Sequence, residues 1–148
     1  AGFLDVQVVD RAVGVIEAGL PDILFIHLPD VDSAGHATGW MSAGQFLAIS
    51  HTDGLIGQVV EALRLGQYLE STLLIVTSDH GGVDKAHGGD SPEERHVPWL
   101  AVGPGVPSGL TLTDDIMMYD TAATALYALN IPIPDGWDGR PVLQIFDR

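Results

Sequence analysis

Apolar positions along this chain recur with two different periods. From Asp5 to Gly19 they fall at helical spacing: Val6, Val9, Val13 and Ile16 share a stripe, Asp5 is placed to cap the start, and Gly19 with Pro21 stops it. Ile23-Leu24-Phe25-Ile26-His27-Leu28 is instead a continuous apolar run ended by Pro29, which predicts a fully buried strand. Ser42 with Gln45 three positions on reads as a capping box. Phe46, Ile49, Ile56, Val59, Val60 and Leu63 then carry a stripe toward Gly66, predicting a helix from about Ser42 to Leu65. Gly54 and Gly57 inside it cost roughly 1 kcal/mol each relative to alanine, which close packing of the helix on a sheet would offset.

Leu73-Leu74-Ile75-Val76 predicts a second buried strand, and Val97-Pro98-Trp99-Leu100-Ala101-Val102 a third, closed by the turn-rich Gly103-Pro104-Gly105-Val106-Pro107. Asp120 caps a last helix through Ala123, Leu126, Tyr127 and Leu129, ended by Asn130 and Pro132, and a short edge element is expected near Val142 to Ile145. Strand, helix, strand in that order implies a right-handed crossover. The expected fold class is therefore α/β, with a mostly parallel sheet sandwiched by helices.

Both strands that precede polar segments deliver the same kind of side chain. The first opens into Asp30-Val31-Asp32-Ser33-Ala34-Gly35-His36, and the second into Thr77-Ser78-Asp79-His80-Gly81-Gly82. Open α/β sheets place their chemistry at the carboxyl ends of strands. Asp79 and His80 would point to opposite faces of a regular strand, so they serve one site only if the backbone leaves strand geometry, which Gly81 and Gly82 permit. A long polar loop from Val83 to Arg95 follows, carrying His87-Gly88-Gly89 and the acidic pair Glu93-Glu94. Asp32, His36, Asp79, His80 and His87 thus supply five oxygen and nitrogen donors, a set that suits zinc, manganese or iron better than calcium. His96 is an alternative to His87. His27, inside an apolar run, reads as a satisfied core histidine or a partner of a ligand, and Trp40 and Trp99 as core or pocket wall.

Composition narrows the partners. The 148 residues suffice for one domain with a genuine core, and 46% hydrophobic content argues against disorder. A net charge of −14 repels nucleic-acid polymers and anionic membranes, while cations bound by a few carboxylates would still admit an anionic small substrate. Zero cysteines exclude disulfides and thiolate zinc sites without choosing a compartment. No apolar run approaches the ~20 residues of a membrane span, and no charged-then-apolar leader begins the sequence.

The strings Asp32-Ser33-Ala34-Gly35-His36, Thr77-Ser78-Asp79-His80-Gly81 and His87-Gly88-Gly89, in that order, resemble the metal-binding motifs of the alkaline phosphatase superfamily, most closely its type I phosphodiesterase/nucleotide pyrophosphatase branch. Val97–Val106 and the closing Ile131–Gly139 are also similar to that branch and to sulfatase tails. The resemblance implies an alkaline phosphatase-like fold and two divalent metal ions, zinc foremost and manganese as the alternative. Asp32, His36 and His87 would hold one ion, and Asp79 and His80 the other.

The same resemblance implies a further Asp and a Thr or Ser nucleophile from an amino-terminal half that has no matching motif here. Counting donors points the same way, because a catalytic zinc normally keeps three protein ligands and the second site has two. The expectation is a partial domain, residues 1–148 being the carboxyl-terminal half of a larger catalytic domain. It has no catalytic nucleophile of its own, the nucleophile being expected upstream of Ala1, and weak activity is expected in isolation. The implied activity is hydrolysis of small phosphodiesters or phosphate monoesters. Alternatives on the same scaffold are a sulfatase and a cofactor-independent phosphoglycerate mutase, whose Asp-His-Gly-Asn this chain replaces with Asp-His-Gly-Gly. An alternative of another class is a non-catalytic module that binds metal or a partner.

Overall fold

The computed structural model describes residues 4–146, which fall into two compact units. Ala1, upstream of which the nucleophile is expected, lies outside the described residues. The first unit comprises the chain up to Leu69 together with His80–Val97, and the second Glu70–Asp79 with Pro98 onward. Among the described residues no helix is long and apolar enough to cross a membrane.

The first unit is built on two helices, α1 (Leu4–Ala18) and α3 (Ala43–Leu65). Val9 and Ile16 of α1 meet Leu55, Val59, Ala62 and Leu63 of α3 in one buried cluster. Val9, Ala12 and Ile16 follow three- and four-residue steps, and Leu55, Val59 and Ala62 or Leu63 do the same, which puts each set on one helical face. Burying each Leu, Ile or Val here contributes about 1.5–3 kcal/mol. Ser42 caps α3 as expected, its hydroxyl accepting the Gln45 N–H at 3.2 Å. The Gln45 amide oxygen does not return the bond to Ser42; it accepts the Met41 N–H at 2.7 Å. The apolar stripe is also rotated from expectation. Gln45, Thr52 and Leu55 turn inward while Phe46 and Ile49 are exposed, and a methyl group added at Gly54 or Gly57 would meet nothing within 4 Å, so among the described residues no sheet packs on those glycines.

The expected strand from Ile23 to Leu28 is not formed. Leu24, Ile26 and Leu28 pack on the α1/α3 cluster, but Phe25 is 85% exposed and no ladder joins this run to another strand among the described residues. A strand is defined by its pairing, and an apolar run that finds packing on one face without a hydrogen-bonding neighbour remains merely extended. The mostly parallel sheet and the crossover expected from this run are accordingly not shown.

The polar segment after Pro29, for which the sequence predicted no element, is a helix. The segment α2 (Asp30–Thr38) follows Pro29 directly, with Asp30 and Asp32 in its first turn, where carboxylates favour the positive end of the helix dipole. Its start is held from a distance: Asp5 Oδ1 accepts the Asp30 N–H at 3.0 Å, while the Asp30 carboxylate accepts the N–H groups of Leu4 and Asp5, each at 3.2 Å. Asp5, fully buried, therefore lies in the first turn of α1 and caps α2, and the Thr52 hydroxyl satisfies its second oxygen at 2.7 Å. The loop after residue 80 contains a tight turn at Val83–Ala86 and the one-turn helix α4 (Pro92–Arg95).

The second unit pairs β1 (Leu74–Thr77) with β2 (Trp99–Val102) antiparallel, Leu74 opposite Val102 and Thr77 opposite Trp99. It is the sheet seen among the described residues. Helix α5 (Asp120–Ala128) begins with a buried carboxylate that accepts the Met117 and Arg140 N–H groups, both at 2.8 Å. Thr124 accepts the Val142 N–H at 2.9 Å, so the tail is stitched to α5 by polar bonds. The expected edge element is a 3₁₀ turn, Leu143–Ile145, with Ile145 buried.

Candidate metal centre

Residues four apart on a helix share a face, and α2 uses this to bring Asp32 and His36 together. His36 Nε2 lies 3.5 Å from Asp32 Oδ1, and His87 Nε2, from the loop beyond the Val83–Ala86 turn, lies 3.6 Å from the same oxygen. One ligand atom from each of the three falls within 4.8 Å of the others. Asp32 Oδ1 is shut off from solvent and has no hydrogen-bond partner. Such an orphaned acceptor is costly unless something else approaches it. Two ligand atoms each ~2.1 Å from a tetrahedral ion stand about 3.4 Å apart, so the observed spacings match those of two ligands to one cation and are longer than ordinary hydrogen bonds. The residues fit a divalent metal of the zinc or manganese kind.

The imidazoles are oriented by backbone carbonyls. His36 Nδ1 is 2.9 Å from the Lys85 carbonyl oxygen and His80 Nδ1 is 2.8 Å from that of Gly81. A carbonyl only accepts, so each Nδ1 carries the proton and the Nε2 lone pair is the one available to a metal. His80 stacks on His87 with ring centroids 3.8 Å apart. Trp40 stands edge-on to His36 at 5.2 Å and to His87 at 5.9 Å, walling the cluster.

Two glycines make this wall possible. A Cβ on Gly82 would run into the Trp40 ring, and one on Gly81 into the Glu93 carbonyl. Neither glycine has a positive φ. Their role is close approach, not the left-handed backbone that glycine otherwise supplies. Glu94 is not simply a solvated loop charge: its carboxylate accepts the Gly89 N–H at 2.7 Å and the Ser91 N–H at 3.2 Å. Those two donors, Gly89 foremost, hold it below the usual glutamate range.

Of the five expected ligands, Asp32, His36 and His87 come together, with His80 stacked on the His87 ring; Asp79 is exposed and belongs to the other unit. His96 ends α4, donating its N–H to Pro92, and no ion pair or ring contact joins it to the cluster among the described residues. His27 is exposed and stacks on Phe25, so it is not a core histidine. Sequence reasoning missed Lys85, which acts through a carbonyl that every residue possesses, and it read Asp5 as a cap of α1 when its carboxylate caps α2.

A family model described as type I phosphodiesterase/nucleotide pyrophosphatase matches residues 3–94. Arylsulfatase K of Danio rerio is 32% identical over 104 residues, covering 67% of this chain and 20% of its own length. A 2,3-bisphosphoglycerate-independent phosphoglycerate mutase of Natronomonas pharaonis is 31% identical over 144 residues, covering 93% of this chain and 27% of its own length. Human arylsulfatase K is 30% identical over 101 residues, 65% of this chain and 19% of its own length. The chain thus spans between about a fifth and somewhat over a quarter of these relatives.

Proposed function

The chain belongs to the type I phosphodiesterase/nucleotide pyrophosphatase family, within the alkaline phosphatase superfamily, and from that premise we propose that it is part of a metal-dependent hydrolase of phosphodiesters or phosphate monoesters. The observation that carries this reading is Asp32 Oδ1, buried without a hydrogen-bond partner between two imidazole nitrogens at 3.5 and 3.6 Å. Asp32, His36 and His87 hold one cation, and Asp79 and His80 contribute to a second. When bound, the cations supply Lewis-acid polarisation of a phosphoryl oxygen and lower the pKa of a hydroxyl or water toward neutrality.

This chain's own residues do the preparatory work. The Lys85 and Gly81 carbonyls fix the protons of His36 and His80 on Nδ1, and Trp40 packs edge-on against the His36 and His87 rings and helps hold their orientation. Asp79 and His80 give a second site only two donors, which supports assigning the chain to the carboxyl-terminal half of a larger catalytic domain, with the nucleophile and a further ligand supplied from upstream of Ala1.

A phosphoglycerate mutase-type isomerase is the second reading, favoured by the 144-residue match to such an enzyme. The test is turnover by the intact protein with added zinc or manganese, comparing a nitrophenyl phosphodiester, the monoester and the aryl sulfate. Phosphate esters are expected to be cleaved at least ~10-fold faster than the sulfate, with Asp32→Asn abolishing the difference. Faster sulfate cleavage would make the protein a sulfatase, and isomerisation of a phosphoglycerate without phosphate release would make it a mutase. Binding of one ion or none with no turnover of any ester would leave a non-catalytic module.

A further inference from the structure

The turn at Val83–Ala86 is closed on itself by reciprocal backbone bonds, Val83 N–H to Ala86 and Ala86 N–H to Val83, both 3.0 Å. Asp84 within it takes a φ of +52°, a left-handed conformation that Asp tolerates better than most residues. The turn lies against the end of α2, nearly fifty residues earlier in the chain, and three hydrogen bonds tie the two. Asp84 O accepts the Trp40 N–H at 2.6 Å, Lys85 O accepts from His36 Nδ1 at 2.9 Å, and Lys85 Nζ donates to Ala37 O at 2.9 Å. The Ala37 carbonyl belongs to the last turn of α2, where carbonyls lack intrahelical donors and a cation is welcome. Gly39 allows the approach, since a Cβ there would stand 3.2 Å from Asp84 O.

One residue therefore touches α2 twice, once with its side chain and once with its backbone. A neutral imidazole can carry its proton on either nitrogen, and the acceptor supplied by Lys85 O decides the matter for His36. With Nδ1–H committed to that carbonyl, the Nε2 lone pair faces Asp32 Oδ1 at 3.5 Å. His87 follows Ala86 directly in sequence, so whatever holds the turn also holds a second ligand. We propose that the Val83–Ala86 turn is a latch closed by the Lys85 side chain, and that Lys85 is a positioning residue which sets the tautomer of His36 and thereby the affinity of the cation site. This rests on the metal-binding reading above and adds to it a residue that is not a ligand.

Electrostatics alone predicts the opposite sign for removing this lysine. A positive charge near a cation site repels the cation, so deleting it should tighten binding. If Lys85 serves as a latch, deleting it should loosen binding, because an outer partner that orients a ligand is worth about 10–100-fold in metal affinity.

The experiment uses this chain with Zn2+ alone as probe. Calorimetry gives the affinity of the wild type, Lys85→Met and Lys85→Arg, and 15N-resolved NMR of the metal-free proteins gives the tautomer of His36. Lys85→Met is expected to weaken Zn2+ binding at least ~10-fold and to turn the His36 ring from the Nδ1-protonated form to a mixture. Lys85→Arg, which restores a donor for Ala37 O, is expected to return both to near wild type. Tighter or unchanged binding in Lys85→Met, or an unchanged tautomer, overturns the latch. Equal losses in Lys85→Met and Lys85→Arg would overturn it too, since giving Ala37 O its donor back would then have restored nothing. Should the wild type bind no Zn2+, the metal reading fails separately, and the tautomer comparison still decides the latch.

Discussion

Asp32 holds an oxygen that meets neither water nor a proton donor, with two imidazole nitrogens beside it. Without a cation that arrangement is unfavourable, which sets up opposite effects of one substitution. Asn in its place offers an N–H to the His36 lone pair, so Asp32→Asn is expected to leave the metal-free melting point unchanged or raise stability by ~1 kcal/mol. The same change should weaken zinc binding by two orders of magnitude or more, read by calorimetry. Glu94 gives a pH dependence of defined sign. Its folded pKa lies below the ordinary value because the Gly89 and Ser91 N–H groups favour the charged form. Its contribution to loop stability is therefore fully present above the ordinary glutamate pKa of ~4.3 and is lost as pH falls through the lower folded value. The Gly89 amide shift followed from neutral pH into acid should show that transition, and Glu94→Gln should abolish it. The Asp32, His36 and His87 cluster was legible in the sequence because Asp and His beside glycine in polar segments that follow apolar runs are unusual company. Lys85 and the mutual caps of Asp5 and Asp30 were not, since they depend on backbone groups brought together across 25 to 49 residues.

At the scale of elements, α2 is the lesson. Its sequence, Asp-Val-Asp-Ser-Ala-Gly-His-Ala-Thr, has no apolar stripe and no side-chain cap of its own, so a periodicity argument passes over it. The helix exists because Asp5, 25 residues earlier, supplies the acceptor that its first N–H lacks. The prediction is that Thr52→Val, which strips the hydroxyl from Asp5 Oδ2, costs about 1–3 kcal/mol by denaturant titration, and that it weakens metal binding as well because α2 carries Asp32 and His36. Ser42→Ala should cost about 1 kcal/mol by removing the α3 cap, and because the Ser42 hydroxyl also lies 2.7 Å from Thr38 Oγ1 at the end of α2, some loss of metal affinity should accompany it, smaller than that of Thr52→Val. The run Ile23–Leu28 was misread for a different reason. Residue type reports a preference for extended backbone, while a ladder needs a second strand, and none pairs with it among the described residues.

For the molecule as a whole, α/β character was legible, whereas the division into two units was not, because Glu70–Asp79 leaves the first unit's sequence to join residues far downstream. A metal that binds the folded state alone should also stabilise it. Zinc at 100 times its dissociation constant is expected to add about 2.7 kcal/mol to the unfolding free energy of the first unit, and a chelator should remove that increment. Phe25, almost wholly bare in the middle of an extended run whose backbone joins no ladder among the described residues, bears on handling of the protein as much as on its fold. Copies of such a run can zip to one another, so concentrated solutions should turn cloudy on standing despite the net charge of −14, and a gatekeeper change, Phe25→Lys, should keep them clear.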